Sequence, residues 1–157
     1  MTENDGFGNN LVWLSVLVQR RYAQVCADHD LTPVQATLLC VIKDQPQGMG
    51  ELAQVLGVAK NALSGLVDRI ERRGLVHREA LQRDRRAVTL STTALGKEIV
   101  DALYADVAQR MPDIAGALPA DERHQLANSV ARITAALMAS PMPDAALPKA
   151  GSEQSSG

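Results

Sequence analysis

The segment Ala59–Val76, AKNALSGLVDRIERRGLV, runs directly into Val76–Leu90, VHREALQRDRRAVTL. In the first part Leu63, Leu66, Val67 and Ile70 fall at i, i+3, i+4 and i+7, the apolar stripe of an amphipathic helix. The spacing predicts a helix from about Lys60 to Arg73, with Gly74 as the left-handed residue beyond its end and Leu75 packing back. The face left over carries Lys60, Asn61, Ser64, Gly65 and Asp68. Two short, partly β-branched strands follow, Leu75–His77 and Ala87–Leu90, around a polar turn at Gln82–Arg85. A helix with one polar face followed by a basic hairpin is the arrangement by which a winged helix grips duplex DNA. The helix enters the major groove and the hairpin tip the minor groove beside it.

Charge is distributed to match. The chain holds 16 Lys+Arg against 18 Asp+Glu. Between Val58 and Leu90 lie eight basic residues, Lys60, Arg69, Arg72, Arg73, Arg78, Arg83, Arg85 and Arg86, and four acids, Asp68, Glu71, Glu79 and Asp84. That window is +4, while the rest of the chain, with eight basic and fourteen acidic residues, is −6. A basic stripe on an acidic body is the footprint of a phosphate-binding surface. A solvated helix face with i,i+4 pairs such as Asp68–Arg72 accounts for the helix charges equally well. It does not account for the four arginines between Arg78 and Arg86.

Outward from this segment, 157 residues suit one domain, alone or with an attached oligomerisation element. Apolar residues make up 46% and aromatics 3%, so the core must be built from Leu, Val, Ala and Ile. No apolar run approaches the ~18 residues that span a bilayer. The opening MTENDGFGNN lacks the basic start and apolar stretch of a signal peptide, so a cytoplasmic protein is expected. Cys26 and Cys40 lie in helical apolar patterns and are expected to stay reduced there.

A first helix is predicted from about Asn10 to Asp28, with Leu11, Leu14, Val18, Tyr22 and Val25 as its stripe. Thr32 caps the next helix with Pro33 at its first position, and Leu38, Leu39 and Ile42 face the core. Asp44–Gly48 reads as a polar turn. A short helix follows with Leu52, Val55 and Leu56 as its apolar face, Glu51 at its start and Gly57 at its end. Beyond the hairpin, Thr92 or Thr93 caps a long helix reaching about Met111, where Pro112 bends or ends it. A last helix runs from about Pro119 to Ala139 with Leu126, Val130, Ile133 and Leu137 in line. Pro141–Gly157 has few apolar anchors and reads as a disordered tail.

The residues ELAQVLGVAKNALSGLVDRIERRGLV, then RDRRAVTLSTTALGKEI, closely resemble the MarR family of transcriptional regulators. The resemblance covers about Leu11 to Ala139. Its most specific pieces are Leu66-Val67-Asp68-Arg69, Arg73-Gly74-Leu75-Val76 and Asp84-Arg85-Arg86-Ala87. It implies a mainly α fold with a small β wing, a winged helix-turn-helix at about 31–92, and dimerisation helices at about 10–28 and 93–139. Residues 1–9 are then a flexible N-terminus, and 10–140 form one domain. It further implies a homodimer on double-stranded DNA carrying an inverted-repeat operator, acting as a repressor released by a small anionic or aromatic ligand. The chain departs from the family at Gly65, where a longer, often basic side chain is common, and at Ser91-Thr92-Thr93-Ala94, which replaces the commoner Leu-Thr start of the following helix.

Within that frame, Arg86 is the expected minor-groove contact, since an Arg at a wing tip can enter a narrow, negative groove. Asp84 would orient it, and Arg85 or Arg83 would sit on phosphate. The competing reading is a flexible basic tip with no fixed role. Lys60, Asn61 and Ser64 lie in the first turns of the reading helix, where Asn suits adenine, Ser several base edges, and Lys guanine or phosphate. Asn61 or Ser64 as a mere helix cap is the alternative. Asp68 is unsuited to face phosphate and is expected to pair with an arginine of the wing or helix, Arg86 among them. Trp13, Arg20, Arg21 and Tyr22, on the first helix, would form one wall of the ligand cleft, with Arg clamping a carboxylate.

Cys26-x-x-His29, followed by Asp30, is too small a set for a structural metal site without His77 or His124 folding nearby. A buried thiol and a surface His is the plainer reading. A thiol- or metal-responsive regulator of the same fold is the alternative, and a winged-helix protein-interaction module a remoter one. No nucleophile–base pair, phosphate-cradling glycine loop or metal cluster points to an enzyme, and no cofactor is expected.

Overall fold

The computed structural model describes residues 3–81 and 84–139, and the side chains of residues 6–80 and 87–139. The chain forms α1 (Glu3–Ala27), α2 (Pro33–Ile42), β1 (Gln47–Gly48), α3 (Met49–Leu56), α4 (Lys60–Arg72), β2 (Val76–Leu81), β3 (Asp84–Thr92), α5 (Ala94–Arg110), a 3-10 turn (Met111–Ala115) and α6 (Ala120–Ala139). It falls into two units, residues 1–114 and 115–157.

The helix ends follow from local chemistry. Thr32 Oγ1 accepts from the Gln35 N–H at 3.3 Å while Gln35 Oε1 accepts from the Thr32 N–H at 3.0 Å, and Pro33 occupies the first turn of α2. At the start of α3 the Gly48 N–H donates to Glu51 at 3.4 Å. Gly57 ends α3 at φ 63° and Gly74 stands beyond α4 at φ 73°. In both places the next residue donates back across the glycine, Val58 to Ala53 O and Leu75 to Ile70 O, which satisfies carbonyls that the helix leaves orphaned. Thr93 caps α5 by accepting from the Gly96 N–H at 3.0 Å. The helix gives way to the 3-10 turn at Met111, next to Pro112.

The core of the first unit is aliphatic, as expected from the composition. Val25, Leu38, Leu39, Ile42, Leu52, Leu63, Val67, Ile70, Leu75, Leu90, Val100 and Leu103 are buried, and Leu66 nearly so. Val55 departs from its expected place on the apolar face of α3 and is exposed. The arc that α3 buries is centred on Leu52, Ala53 and Leu56, and at 3.6 residues per turn Val55 lies about 100° away from that centre.

Three further departures concern α1 and the sheet. α1 is helical from Glu3, not Asn10, so the expected flexible segment is helical over residues 3–9. Gly6 and Gly8, each costing roughly 1 kcal/mol against Ala in a helix, make the sequence understate that extension. The apolar stripe of α1 is covered only in its second half, where Val18 and Tyr22 are half-buried and Val25 is fully buried, while Leu11, Trp13, Leu14 and Leu17 are exposed. β2 and β3 are longer than the predicted ribbon, and they pair antiparallel from Val76↔Thr92 through Ala80↔Val88 to Leu81↔Asp84. Third, Gln47–Gly48 is not a plain turn but a short strand paired with Leu90 and Thr89, giving a sheet of order β1-β3-β2. A two-residue strand has no alternation to read. It forms because the free side of β3 offers unpaired backbone groups to the chain entering α3.

In the second unit, α6 carries Leu126, Val130, Ile133 and Leu137 in line, all exposed. Among the described residues no helix is long and apolar enough to cross a membrane. The expected tail at 141–157 lies outside the described residues.

Candidate nucleic-acid interface

α2, α3 and α4 precede the β2–β3 hairpin, and one face of α4 is left uncovered. Lys60, Asn61 and Ser64 are exposed in its first two turns. The N-cap position is held by Ala59, which makes no side-chain cap bond. Asn61 Oδ1 accepts from the Ala62 N–H at 2.9 Å, so Asn61 takes one first-turn donor without being the N-cap. Open space surrounds the position of a Cβ on Gly65, so its lack of a side chain is not imposed by packing.

Further along the same helix, Asp68 finds its arginine, and it is Arg78 on β2. Arg78 Nη2 donates to Asp68 Oδ1 at 2.6 Å, and Arg78 Nη1 donates to Glu71 Oε2. Arg78 meets the expectation of a wing or helix arginine, and the side chain of Arg86, also named for that role, lies outside the described residues. The strand places Arg78 on the same side as the buried Val76, directly under α4. The suggested Asp68–Arg72 side-chain pair is also replaced, since Arg72 Nε donates to the Asp68 backbone carbonyl at 3.1 Å. At the helix C-terminus, Arg73 Nη1 reaches the Asp30 carbonyl at 2.5 Å, where Asp30 has φ 55°.

The hairpin brings the backbone of Asp84, Arg85 and Arg86 into β3. Arg83 lies outside the described residues, as do the side chains of Asp84, Arg85 and Arg86. The readings of Asp84 orienting Arg86 and of Arg83 and Arg85 on phosphate therefore fall there.

The four residues expected to wall a ligand cleft are divided. Arg20 and Tyr22 line a cleft of 720 Å³ with Pro33, Thr37, Val55 and Leu56, between α1, α2 and α3. Trp13 lies two turns away on the uncovered half of α1, 68% exposed, and Arg21 turns to Asp113 at 3.2 Å. Successive residues on a helix point about 100° apart, which is why Arg20 and Arg21 do not share a cleft. Tyr22 also borders a cavity of 230 Å³ with Thr37, Cys40, Leu103, Tyr104 and Val107. Burial pushes the Tyr22 hydroxyl well above its ordinary value.

The Cys26-x-x-His29 pair is taken apart by the fold. Cys26 is in the core, and His29 Nε2 lies 2.9 Å from Asp106 on α5. Among the described residues no group of three or more His, Cys, Asp or Glu is placed to hold a metal ion. Burial raises both the Cys26 and Cys40 thiols, so both are poor thiolates. Around them, Arg110 bonds Asp28 at 2.5 Å, and Lys43 bonds Asp101 at 2.8 Å while lying 4.6 Å from the Tyr104 ring centre.

Sequence reasoning counted Arg78 as one more cation for phosphate and missed its fork. The signal was available. Alternation from Val76 turns Arg78 inward, and Asp68 and Glu71 are i,i+3 neighbours on the helix above it.

Helix-turn-helix α3–α4 with the β2–β3 hairpin and edge strand β1 is a winged helix, with helices on either side of it in sequence. The MarR family model matches residues 29–87. The transcriptional repressor NicR of Pseudomonas putida is 31% identical over 103 residues, and the match spans 65% of this chain and 65% of NicR's length. Apo wild-type MarR of E. coli superimposes with a TM-score of 0.75 at 26% identity, covering 80% of this chain and 94% of that one. The transcriptional repressor CouR, solved bound to a 23-mer DNA duplex, gives 0.68 at 28% identity, covering 81% and 91%. An E. coli MarR variant complexed with operator DNA gives 0.67 at 25%, covering 82% and 93%. In sequence and in fold the chain is similar to the MarR family of transcriptional regulators.

Proposed function

We propose that the chain is a homodimeric, sequence-specific DNA-binding repressor, released from an inverted-repeat operator by a small anionic or aromatic ligand. The observation that carries the DNA part is the exposed Lys60–Asn61–Ser64 end of α4, beside a hairpin whose tip sequence is Arg83-Asp84-Arg85-Arg86. Two of the structures it resembles hold DNA, one a 23-mer duplex and one operator DNA. In this reading Asn61 and Ser64 meet base edges, Lys60 meets guanine or phosphate, and Arg86 enters the minor groove with Arg83 and Arg85 on phosphate.

The homodimer is supported by the uncovered apolar residues of α1, Leu11, Trp13, Leu14 and Leu17, and by the exposed α6 stripe. Apolar surface of that extent is removed from water by a partner. The ligand is supported by the Arg20–Tyr22 cleft, where an exposed arginine shares the lining with apolar Pro33, Val34, Val55 and Leu56. No chemistry beyond binding is required, and the protein is read as a regulator acting on cytoplasmic DNA, not as an enzyme.

The test is selection of duplexes from a random pool by the full-length protein, followed by binding at graded salt. An inverted repeat with half-site centres about 34–36 Å apart is expected, with affinity falling steeply as salt rises. A pool that gains no consensus, or a binding constant indifferent to salt, overturns the reading.

A further inference from the structure

We propose that Arg78 is a positioning residue, a brace that fixes the wing against the reading helix so that both meet DNA in one geometry. This rests on the DNA-binding reading above. Asn61, Ser64, Asp68 and Glu71 follow one another at steps of three, four and three residues, so they share one face of α4. The first two are exposed at the reading end. The last two are acids, and acids on a face turned toward phosphate would repel it. Arg78 holds both at once, Nη2 on Asp68 Oδ1 at 2.6 Å and Nη1 on Glu71 Oε2.

The contact is mechanical as well as electrostatic. The backbone of Arg78 pairs with that of buried Leu90 in the central strand β3. Three residues after Arg78, Leu81 pairs with Asp84, where the hairpin returns. One planar fork thus ties two successive turns of α4 to the strand pair that carries the wing tip. A lysine, with a single point charge, reaches one carboxylate and not the pair. The outward residues of the same strand, His77 and Glu79, bond each other at 2.8 Å, on the face away from Arg78.

The experiment uses the full-length protein, the duplex consensus that the wild type selects, and a random duplex of equal length. Arg78→Gln is expected to bind the selected duplex roughly ten-fold more weakly, a mid-range effect for coupled charged contacts. Random duplex, held by phosphates in no fixed geometry, loses less. The salt slope stays within the ~0.9 that one phosphate contact contributes. The deciding variant is Asp68→Asn/Glu71→Gln. It removes two negative charges from the DNA-facing helix, so electrostatics alone would tighten binding, whereas loss of the brace weakens it to the same roughly ten-fold extent. Arg78→Lys falls between Arg78→Gln and wild type. Thermal unfolding shows which variants are folded, and where Arg78→Gln is not, the isosteric double variant decides. Equal or tighter binding by the double variant overturns the brace, as does a salt slope lower by a full phosphate in Arg78→Gln. A wild type that selects no duplex overturns the DNA-binding reading and the brace with it.

Discussion

Gly96 lies so close to Leu75 that a Cβ on it would stand 1.9 Å from the Leu75 carbonyl oxygen. The same carbonyl accepts from the Thr93 N–H at 3.0 Å, and the Thr93 hydroxyl donates to Gly74 O at 2.6 Å. The end of α4 and the start of α5 are therefore joined backbone to backbone at Leu75 and Gly96, with the Thr93 hydroxyl as a second tie.

Gly96→Ala is the sharpest test of that joint. Helix propensity alone would favour alanine by about 1 kcal/mol. The obstacle is a backbone carbonyl, which cannot swing aside, so overpacking should win by about 3 kcal/mol or more. Denaturant unfolding should show a markedly lower midpoint. A midpoint equal to or above wild type would show that α5 moves away from Leu75 freely.

Wing and helix should fail differently. Arg86→Ala removes a contact governed by groove width, so binding to the selected duplex and to unrelated A·T-rich duplex should weaken alike. Asp84→Ala should do the same more mildly. Asn61→Ala and Ser64→Ala should instead relax preference at particular base pairs, by about 1–3 kcal/mol each where the contact is bidentate. Competition with single-base variants of the selected duplex separates the two patterns. Unchanged affinities in Arg86→Ala would remove the wing from the interface, and full base preference in both helix variants would shift the reading to Lys60.

Trp13 is the single tryptophan of the chain and is 68% exposed in one copy. A homodimer closing over the first half of α1 should bury it. At micromolar concentration its emission should be blue-shifted and poorly quenched by acrylamide, and dilution should reverse both together with the fall in mass seen by sedimentation. A full-length chain that sediments as a folded monomer, with solvent-like Trp13 emission, would contradict the dimer.

The Lys43–Asp101 pair gives a pH signature. The hydrogen bond from Lys43 holds the Asp101 carboxyl below its ordinary 3.8, and the same bond holds Lys43 above its ordinary 10.5. A carboxyl depressed in the folded state stabilises the fold above its unfolded value, and that contribution is lost as pH falls through the folded one. A raised amine stabilises below its unfolded value, and that contribution is lost as pH rises through the folded one. Asp101→Asn should thus be less stable than wild type between about pH 4 and 10 and converge with it outside that window. Denaturant midpoints at pH 3, 7 and 11 measure it, and a constant difference across all three would contradict the pairing.

Thiol chemistry should be slow. With both thiols raised by burial, alkylation of Cys26 and Cys40 at pH 8 should lag far behind that of the unfolded chain. Changing both to Ser should leave DNA binding intact, and release of that double variant by peroxide would place the sensing elsewhere than in the thiols. Loss of a peroxide response present in wild type would show that a thiol is the sensor.

Helices were legible because their stripes and caps are local. Leu63, Leu66, Val67 and Ile70 declare α4 at fixed spacing, and Thr32-Pro33, Gly57 and Gly74 mark ends through their own backbone chemistry. What stayed hidden depends on neighbours remote in sequence. β1 exists only because β3 has a free side, and Val55 is exposed because the neighbours of α3 cover the arc centred on Leu52, Ala53 and Leu56. Asp68 was read as needing an arginine, but the choice of Arg78 required the register of β2 under α4. Of the ligand-wall candidates, Arg20 and Tyr22 share a cleft while Trp13 and Arg21 do not, since proximity in sequence fixes neither depth nor direction on a helix.

The order β1-β3-β2 puts the longest strand in the middle and leaves β2 as an edge. That edge carries His77, Arg78 and Glu79 in succession. The exposed side chains of His77 and Glu79 on this open strand discourage another copy from adding to it, because pairing would strip water from both. Such an edge is a poor template for strand-to-strand polymerisation.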